Sequence, residues 1–440
     1  MPAATSELPS PEEIAERLDR VLAASTADET ELVWLEVTRG SVSDRGARAG
    51  LWPGHERTVA VRVLDRGGLG CYRTGAGTVG ELENAVRHAL AQARVEKAPP
   101  RFNRLAADAT PLPALAEVHD PEVRDLVPSR ARDLLRGHLR HRETALLDWA
   151  AARVVVHNSN GVARRAEVTL VTLEARCGSG RAAASARRLA DLPLEEVFAR
   201  ARDRQAAARG GDLPAGRPGA VVSPEAVAVL ADLLSRIALS ASAYREGTSF
   251  LREHLGVQVF DRAFHLLDDA TDPAGLPFPF DLEGTAKRPL DLIRDGVPVA
   301  VPTDQRHAVE LGLPATGHAT AGNDAQAANL FVLPGGVDDE GLLERAEGGV
   351  WLGWISRIEC LDPRRIQFRA QVRGARRIAD GRLGEGLGEL VWDDSLLRVF
   401  ASLAGVGAGV VRWAPGSEVL GGVSAPAVAL AEVDGLRPDP

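Results

Sequence analysis

GLPFPFDLEGTAKRPLDLIRDGVPVAVPTDQRHAVELGLPATGHATAGNDAQAANLFVLPGG, residues 275–336, decides how the chain is read. Its short apolar pieces, 297–301 and 330–333, stand between prolines and glycines, as strands joined by tight turns do. Asp295-Gly296 lies between 290–293 and 297–301, where a two-residue hairpin turn needs positive φ. The stretch therefore predicts strands and turns, with one firm hairpin.

Before this stretch, residues 220–222 lead into Ser223-Pro224-Glu225, a capped helix start, and Leu230, Leu233, Leu234 and Ile237 continue a helix over 223–240. Beyond it, strands are expected at 351–358, 365–372, 388–391 and 427–433. Ile366, Phe368, Ala370 and Val372 alternate with Gln367, Arg369, Gln371 and Arg373, the pattern of a strand with one wet face. Residues 219–440 thus read as a mostly antiparallel, β-rich and partly barrel-like C-terminal domain.

Toward the N-terminus, Ser10-Pro11-Glu12-Glu13 starts a helix, strands follow at 32–37 and 58–64, and Thr78 with Glu81 starts a second helix. These make a small α+β domain over 1–98. Pro99, Pro100, Pro111, Pro113 and Pro121 mark a connection. After it, a helix over 129–142, a hairpin turning at Asn158-Ser159-Asn160-Gly161 and a helix over 193–209 give a middle α+β segment, 99–218. The expected fold class is α+β.

The 440 residues exceed one ordinary core. Hydrophobic residues at 45% and charged residues at 26% are ordinary for a globular chain, and the net charge of -9 argues against a nucleic-acid partner. Cys71, Cys177 and Cys360 are widely spaced, which suits a reducing compartment. No apolar run of membrane-spanning length and no signal-peptide pattern is present, so the expectation is a cytoplasmic protein without a membrane partner.

DLEGT at 281–285, DGVPVA at 295–300, the segment Leu311-Gly312-Leu313-Pro314-Ala315-Thr316-Gly317-His318-Ala319 and NLFVLPGG at 329–336 occur in that order. Together they resemble the C-terminal domain of the TldD/PmbA (TldE) family. Residues 59–63 followed by GGLGCYRTG, and His157-Asn158-Ser159-Asn160-Gly161, are similar to its earlier segments. The resemblance implies a subunit of a paired intracellular metallopeptidase, a family once described as modulators of DNA gyrase.

In the catalytic TldD-type subunits an HExxxH motif lies on the helix before an Arg-Gly-Thr-Ser-like segment. The matching segment here is Tyr244-Arg245-Glu246-Gly247-Thr248-Ser249, and the helix before it has no histidine. Asp232, Leu233 and Ile237 stand where the motif's His, Glu and His are expected. The resemblance therefore implies the TldE/PmbA-like, non-catalytic type. This chain is expected to supply no catalytic or metal residue and to bind no cofactor. The resemblance further implies that zinc belongs to a TldD-like catalytic partner in a hetero-oligomer and that the substrate is an unfolded peptide.

Glycine turns and polar groups able to bond a peptide backbone make Gly317, His318, Asn323 and Asn329 the candidate peptide-binding or interface residues. The alternative is a stand-alone hydrolase with a rebuilt site using His318, Glu283 or Asp304. His138 and His141 are three apart on an expected helix, but Arg136, Arg140 and Arg142 around them repel a cation. Gly67-Gly68-Leu69-Gly70 lacks the order of a phosphate-binding loop, and Gly178-Ser179-Gly180 is a turn, not a nucleophile elbow.

Overall fold

The computed structural model describes residues 9–43, 54–99, 101–107, 110–115, 118–206, 210–321 and 324–439. Two sheets with flanking helices give the α+β class that the patterning predicts. The first sheet contains β1 (Glu29–Ser43), β2 (Gly54–Asp65), β3 (Gly68–Thr74), β4 (Glu143–Asn158), β5 (Ala163–Cys177) and β6 (Gly180–Ala186). Its order is β3-β2-β1-β4-β5-β6, antiparallel throughout. Because β1 pairs with β4, the segments 1–98 and 99–218 share one sheet.

Side-chain parity explains why this sheet is buried on both faces. The helices are α1 (Pro11–Ala24), α2 (Val79–Ala93), α3 (Pro121–Arg124), α4 (Pro128–Arg136) and α5 (Leu194–Asp203). Leu32 and Trp34 with Val59, Val61 and Val63 pack on Ile14 and Leu18 of α1 and Leu82 of α2. Further along the same face, Leu147, Trp149, Val171 and Leu173 pack on Leu135 of α4 and Phe198 of α5. Residues of opposite parity, among them Val33, Val154, Val156 and Leu170, meet Leu276, Phe278 and Phe280 from the C-terminal half. A strand covered on both faces has no wet positions to mark with polar residues, hence the run Val154-Val155-Val156.

The C-terminal half begins with β7 (Ala220–Val222) and α6 (Pro224–Ala238). Then come β8 (Leu266–Asp268), β9 (Leu290–Arg294), β10 (Val297–Pro298), β11 (Asn329–Val332), β12 (Val350–Leu352) and β13 (Trp354–Asp362). The last are β14 (Gln367–Ala379), β15 (Arg382–Ser395), β16 (Leu403–Trp413), β17 (Gly422–Leu430) and β18 (Leu436–Pro438). They run β10-β9-β8-β11-β17-β7-β12-β14-β15-β18, with β13 added to β14 and β16 to β17. The β11–β17 and β12–β7 pairs are parallel and the rest antiparallel. The barrel-like closure expected from the sequence is absent: the sheet is open. Its end strands β10 and β18 are short and carry Pro298 and Pro438, which have no N–H to offer a further strand.

The predicted hairpin is present, with Asp295 at φ 50° and Gly296 at φ 73° between β9 and β10, as the left-handed turn demands. Other boundaries differ. The helix expected over 129–142 ends at Arg136, so His138 and His141 lie beyond it, and His138 stacks on Phe198 with centroids 5.9 Å apart. The strand expected over 351–358 is two, β12 and β13, separated at Gly353.

Arg187, just after β6, ties the halves together. Its Nη1 donates to Thr169 O at 3.1 Å and Val419 O at 2.6 Å, and its Nη2 to Leu276 O at 2.8 Å. Burial, with Arg412 nearby, pushes this guanidinium down to about 9. Among the described residues no helix is long and apolar enough to cross a membrane.

Candidate functional site

α6 starts where the sequence predicts, with Ser223 Oγ accepting from Ala226 N at 3.1 Å and Pro224 in the first turn. It is apolar nearly all round and correspondingly buried. Beyond Glu225 in its first turn, two charges one turn apart interrupt it: Asp232 and Arg236, paired at 2.7 Å. With Val229 they line a cleft of about 870 Å³ between the two sheets. Glu174 of β5 and Arg181 of β6 line it from the first sheet, and Trp354, Arg357 and Trp413 from the second. Burial, and then Asp148, raise Glu174 to about 7, and burial outweighs Arg236 in raising Asp232. The cleft thus combines aromatic walls with one carboxyl, Glu174, poised at about 7 and a second, Asp232, raised above its ordinary value.

Asp281, Lys287, His318 and Asn329 also line this cleft, so two of the candidate residues from the sequence come together there. His318 is 1% exposed; its Nδ1 lies 2.9 Å from Thr316 Oγ1, and its Nε2 lies 3.2 Å from Asp268 Oδ1 without hydrogen-bond alignment. Burial, then Lys287, push His318 below its ordinary value. Burial opposes ionisation of Asp268 too, but His318 and Lys287 hold it down at about 2. Asn329 is equally buried, its Nδ2 donating to Leu420 O at 3.4 Å while its Oδ1 has no partner among the described residues. Gly317 has φ 75°, and a Cβ there would meet Ala286 O at 3.2 Å, so its turn needs glycine whatever its part in binding. Asn323 lies outside the described residues.

Glu283 and Asp304 sit elsewhere. Glu283 joins the first sheet through Arg62, whose Nη1 lies 2.6 Å from Glu283 Oε1 while its Nη2 lies 2.6 Å from Glu31 Oε1. Burial outweighs Arg62 and lifts Glu283 to about 8, with Asp304, Asp281 and Glu31 adding to the rise. Its folded-state pKa is above the ordinary 4.5, so the folded state holds the extra proton, and stability present below the unfolded value is lost as pH rises toward about 8. Glu283→Gln is expected to flatten this decline. Thermal melts of both proteins between pH about 5 and about 9 check it; parallel declines would refute the assignment.

Asp304 caps the helix 305–311: its Oδ1 accepts from His307 N at 2.6 Å and His307 Nδ1 at 2.9 Å. His307 Nε2 lies 3.4 Å from Ser242 Oγ, which places an acid, an imidazole and a hydroxyl in a row. His307 is fully buried, however, and none of the three lines the cleft, so this row holds two helices together. Cys360 is no better placed for chemistry, since burial and Asp362 push its thiol up.

A metal fits poorly. Where the family resemblance puts His, Glu and His, Leu233 and Ile237 carry no donor atoms, and Asp232 is already paired. Among the described residues no group of three or more His, Cys, Asp or Glu side chains could hold a metal ion.

The fold and this cleft define a two-sheet α+β protein with a large cleft between its sheets. A model of the PmbA/TldA metallopeptidase C-terminal domain matches residues 215–435, and the chain belongs to the PmbA/TldD family. A crystal structure of a candidate modulator of a DNA gyrase from Thermotoga maritima superposes with a TM-score of 0.78 at 20% identity, covering 96% of this chain and 99% of that one. TldE from Thermococcus kodakarensis gives 0.77 at 16% identity, covering 95% and 99%. A candidate modulator of DNA gyrase from Bacteroides thetaiotaomicron gives 0.74 at 18% identity, covering 96% and 98%. No curated protein matches.

Sequence reasoning singled out neither Glu174 and Arg181 nor Trp354 and Trp413 for the site. Asp232 and Arg236 did leave a signal: charges four apart in an otherwise apolar helix mark a face that meets water.

Proposed function

We propose that this chain is the non-catalytic, TldE/PmbA-like subunit of a cytoplasmic TldD/TldE-type zinc metallopeptidase. It pairs with a TldD-like subunit, helps enclose the chamber and holds an unfolded peptide while the partner cuts it. The observation that carries this reading is α6, which walls a large cleft but offers Asp232, Leu233 and Ile237 where zinc ligands and a general base are expected. The cleft suits an extended chain: β13 has one sheet neighbour, β14, and its residues 354–358 line the cleft, so a peptide could add along it through main-chain hydrogen bonds. The net charge of -9 gives no support to a nucleic-acid partner.

Co-expression with a TldD-like protein from the same genome, followed by size-exclusion chromatography and metal analysis, tests this. Co-elution is expected, with zinc and proteolysis confined to the complex. Separate elution at micromolar concentration would count against the pairing. Stoichiometric zinc or peptide cleavage in the chain alone would sink the non-catalytic assignment. Within the complex, His318→Ala and Asn329→Ala are expected to lower peptide turnover at temperatures where melting curves show each variant still folded. Unchanged turnover in both would leave these residues as scaffold.

A further inference from the structure

The β5–β6 hairpin carries Arg176 and Arg181 to a small pocket of about 110 Å³, which Arg373 of β14 enters from the second sheet. The turn residues Gly178 and Ser179 form part of its wall, leaving backbone rather than bulky side chains at the rim. Among the described residues lining it, Glu389 is the one acid, 3.4 Å from Arg373 Nε. Arg176 Nε donates to Gly178 O at 3.2 Å. Arg181 lies over the Trp354 ring, 5.9 Å from its centroid, and makes no ion pair among the described residues. Three guanidinium groups face Glu389 in the pocket and, on the cleft side of Arg181, Glu174, whose carboxyl is raised to about 7, so positive charge remains in excess in a half-enclosed space. Burial, then Arg176 and Arg373, accordingly hold Arg181 below its ordinary value. A bound oxyanion would relieve that repulsion, and guanidinium forks match a carboxylate in shape as well as charge.

Arg181 also lines the large cleft, so one side chain borders both spaces. The smaller space has room for the end of a chain but not for a chain passing through. We propose that Arg176, Arg181 and Arg373 form an oxyanion pocket that receives the C-terminal carboxylate of an extended peptide lying in the large cleft; this rests on the peptide-holding reading above. The subunit thereby fixes one end of the substrate and so sets which peptide bonds the partner reaches.

The test uses the full chain and a fluorescent, otherwise uncharged peptide in free-acid and C-terminal amide forms, read by anisotropy. The free acid is expected to bind roughly tenfold more tightly than the amide. The exposed Arg176→Gln, outside the large cleft, should weaken the acid to the level of the amide without affecting the amide, and Arg181→Gln, which borders both spaces, should weaken the acid by a larger factor than the amide. Inorganic phosphate should displace the acid and leave the amide bound. Equal binding of acid and amide, unchanged by both substitutions, would overturn the pocket while leaving the cleft reading intact. Binding of phosphate with no competition from the free acid would overturn the peptide terminus as its ligand. Failure of both peptides to bind would bring down the peptide-holding reading and the pocket's role with it. Melting curves of Arg176→Gln, altered at an exposed side chain, separate lost binding from lost folding.

Discussion

Arg62→Met is expected to lower the free energy of unfolding by roughly 3–5 kcal/mol, because it leaves the buried Glu31 without its cation, while Glu283, lifted to about 8, already holds a proton. Glu31 and Glu283 are each 1% exposed and Arg62 is 8% exposed. Glu31 and Arg62 are direct cross-strand partners on β1 and β2, while Glu283 arrives from the C-terminal half. Arg62 Nε also donates to Glu31 Oε1 at 2.8 Å, so one guanidinium joins two strands and two halves of the molecule. Urea denaturation at neutral pH measures the loss. The further change Glu31→Gln in the Arg62→Met background should recover part of it, since a neutral amide removes the stranded charge, whereas Glu283→Gln replaces a group that is already protonated and should recover little. A loss below about 1 kcal/mol for Arg62→Met would mean that water reaches the carboxylates and relieves them.

Leu233→Ala is expected to destabilise by about 2–5 kcal/mol, the cost of an unfilled space in a dense core. Leu233 is 4% exposed and belongs to the large cluster that α6 shares with Leu266, Leu330, Val332 and Phe368. Ile237 packs against the same cluster but is only partly buried, so Ile237→Ala should cost less. Asp232→Ala offers the contrast, since its carboxylate borders the cleft and pairs with a half-exposed Arg236. Chemical denaturation of the three variants orders them. A Leu233→Ala loss no larger than that of Asp232→Ala would contradict the packing of this helix.

Local chemistry was legible in the sequence and long-range assembly was not. Asp295-Gly296 and Ser223-Pro224 encode a turn and a helix start within a few residues, and both occur where they were expected. β16, by contrast, reads LAGVGAGVVRW: glycine and alanine give no strand signal, and what holds it is pairing with β17. The first half of β4 escaped notice for a similar reason. Its Ala150, Ala151 and Ala152 carry little strand preference and become strand by lying between β1 and β5. At the candidate site, His318 and Asn329 were found because they share a glycine-rich loop region with the family-like motifs. Arg181 and Glu174 were not, since only the docking of two sheets brings them opposite α6.

The position of β17 also bears on the order in which the molecule can be made. It follows β7, β8, β11 and β12 in the chain, yet it lies between β11 and β7 near the middle of the second sheet, pairing Val423 with Leu330 and Val428 with Val222. Until residue 430 has emerged, β7 with β12 and β11 with β8 are two separate patches with open edges and no common neighbour. Loop closure over so long a separation is slow, and exposed strand edges in the interval invite pairing between nascent chains. Folding of this half therefore waits for β17, and a chain stopped short of Gly422 is expected to enter aggregates or a chaperone's care instead of forming a smaller stable core.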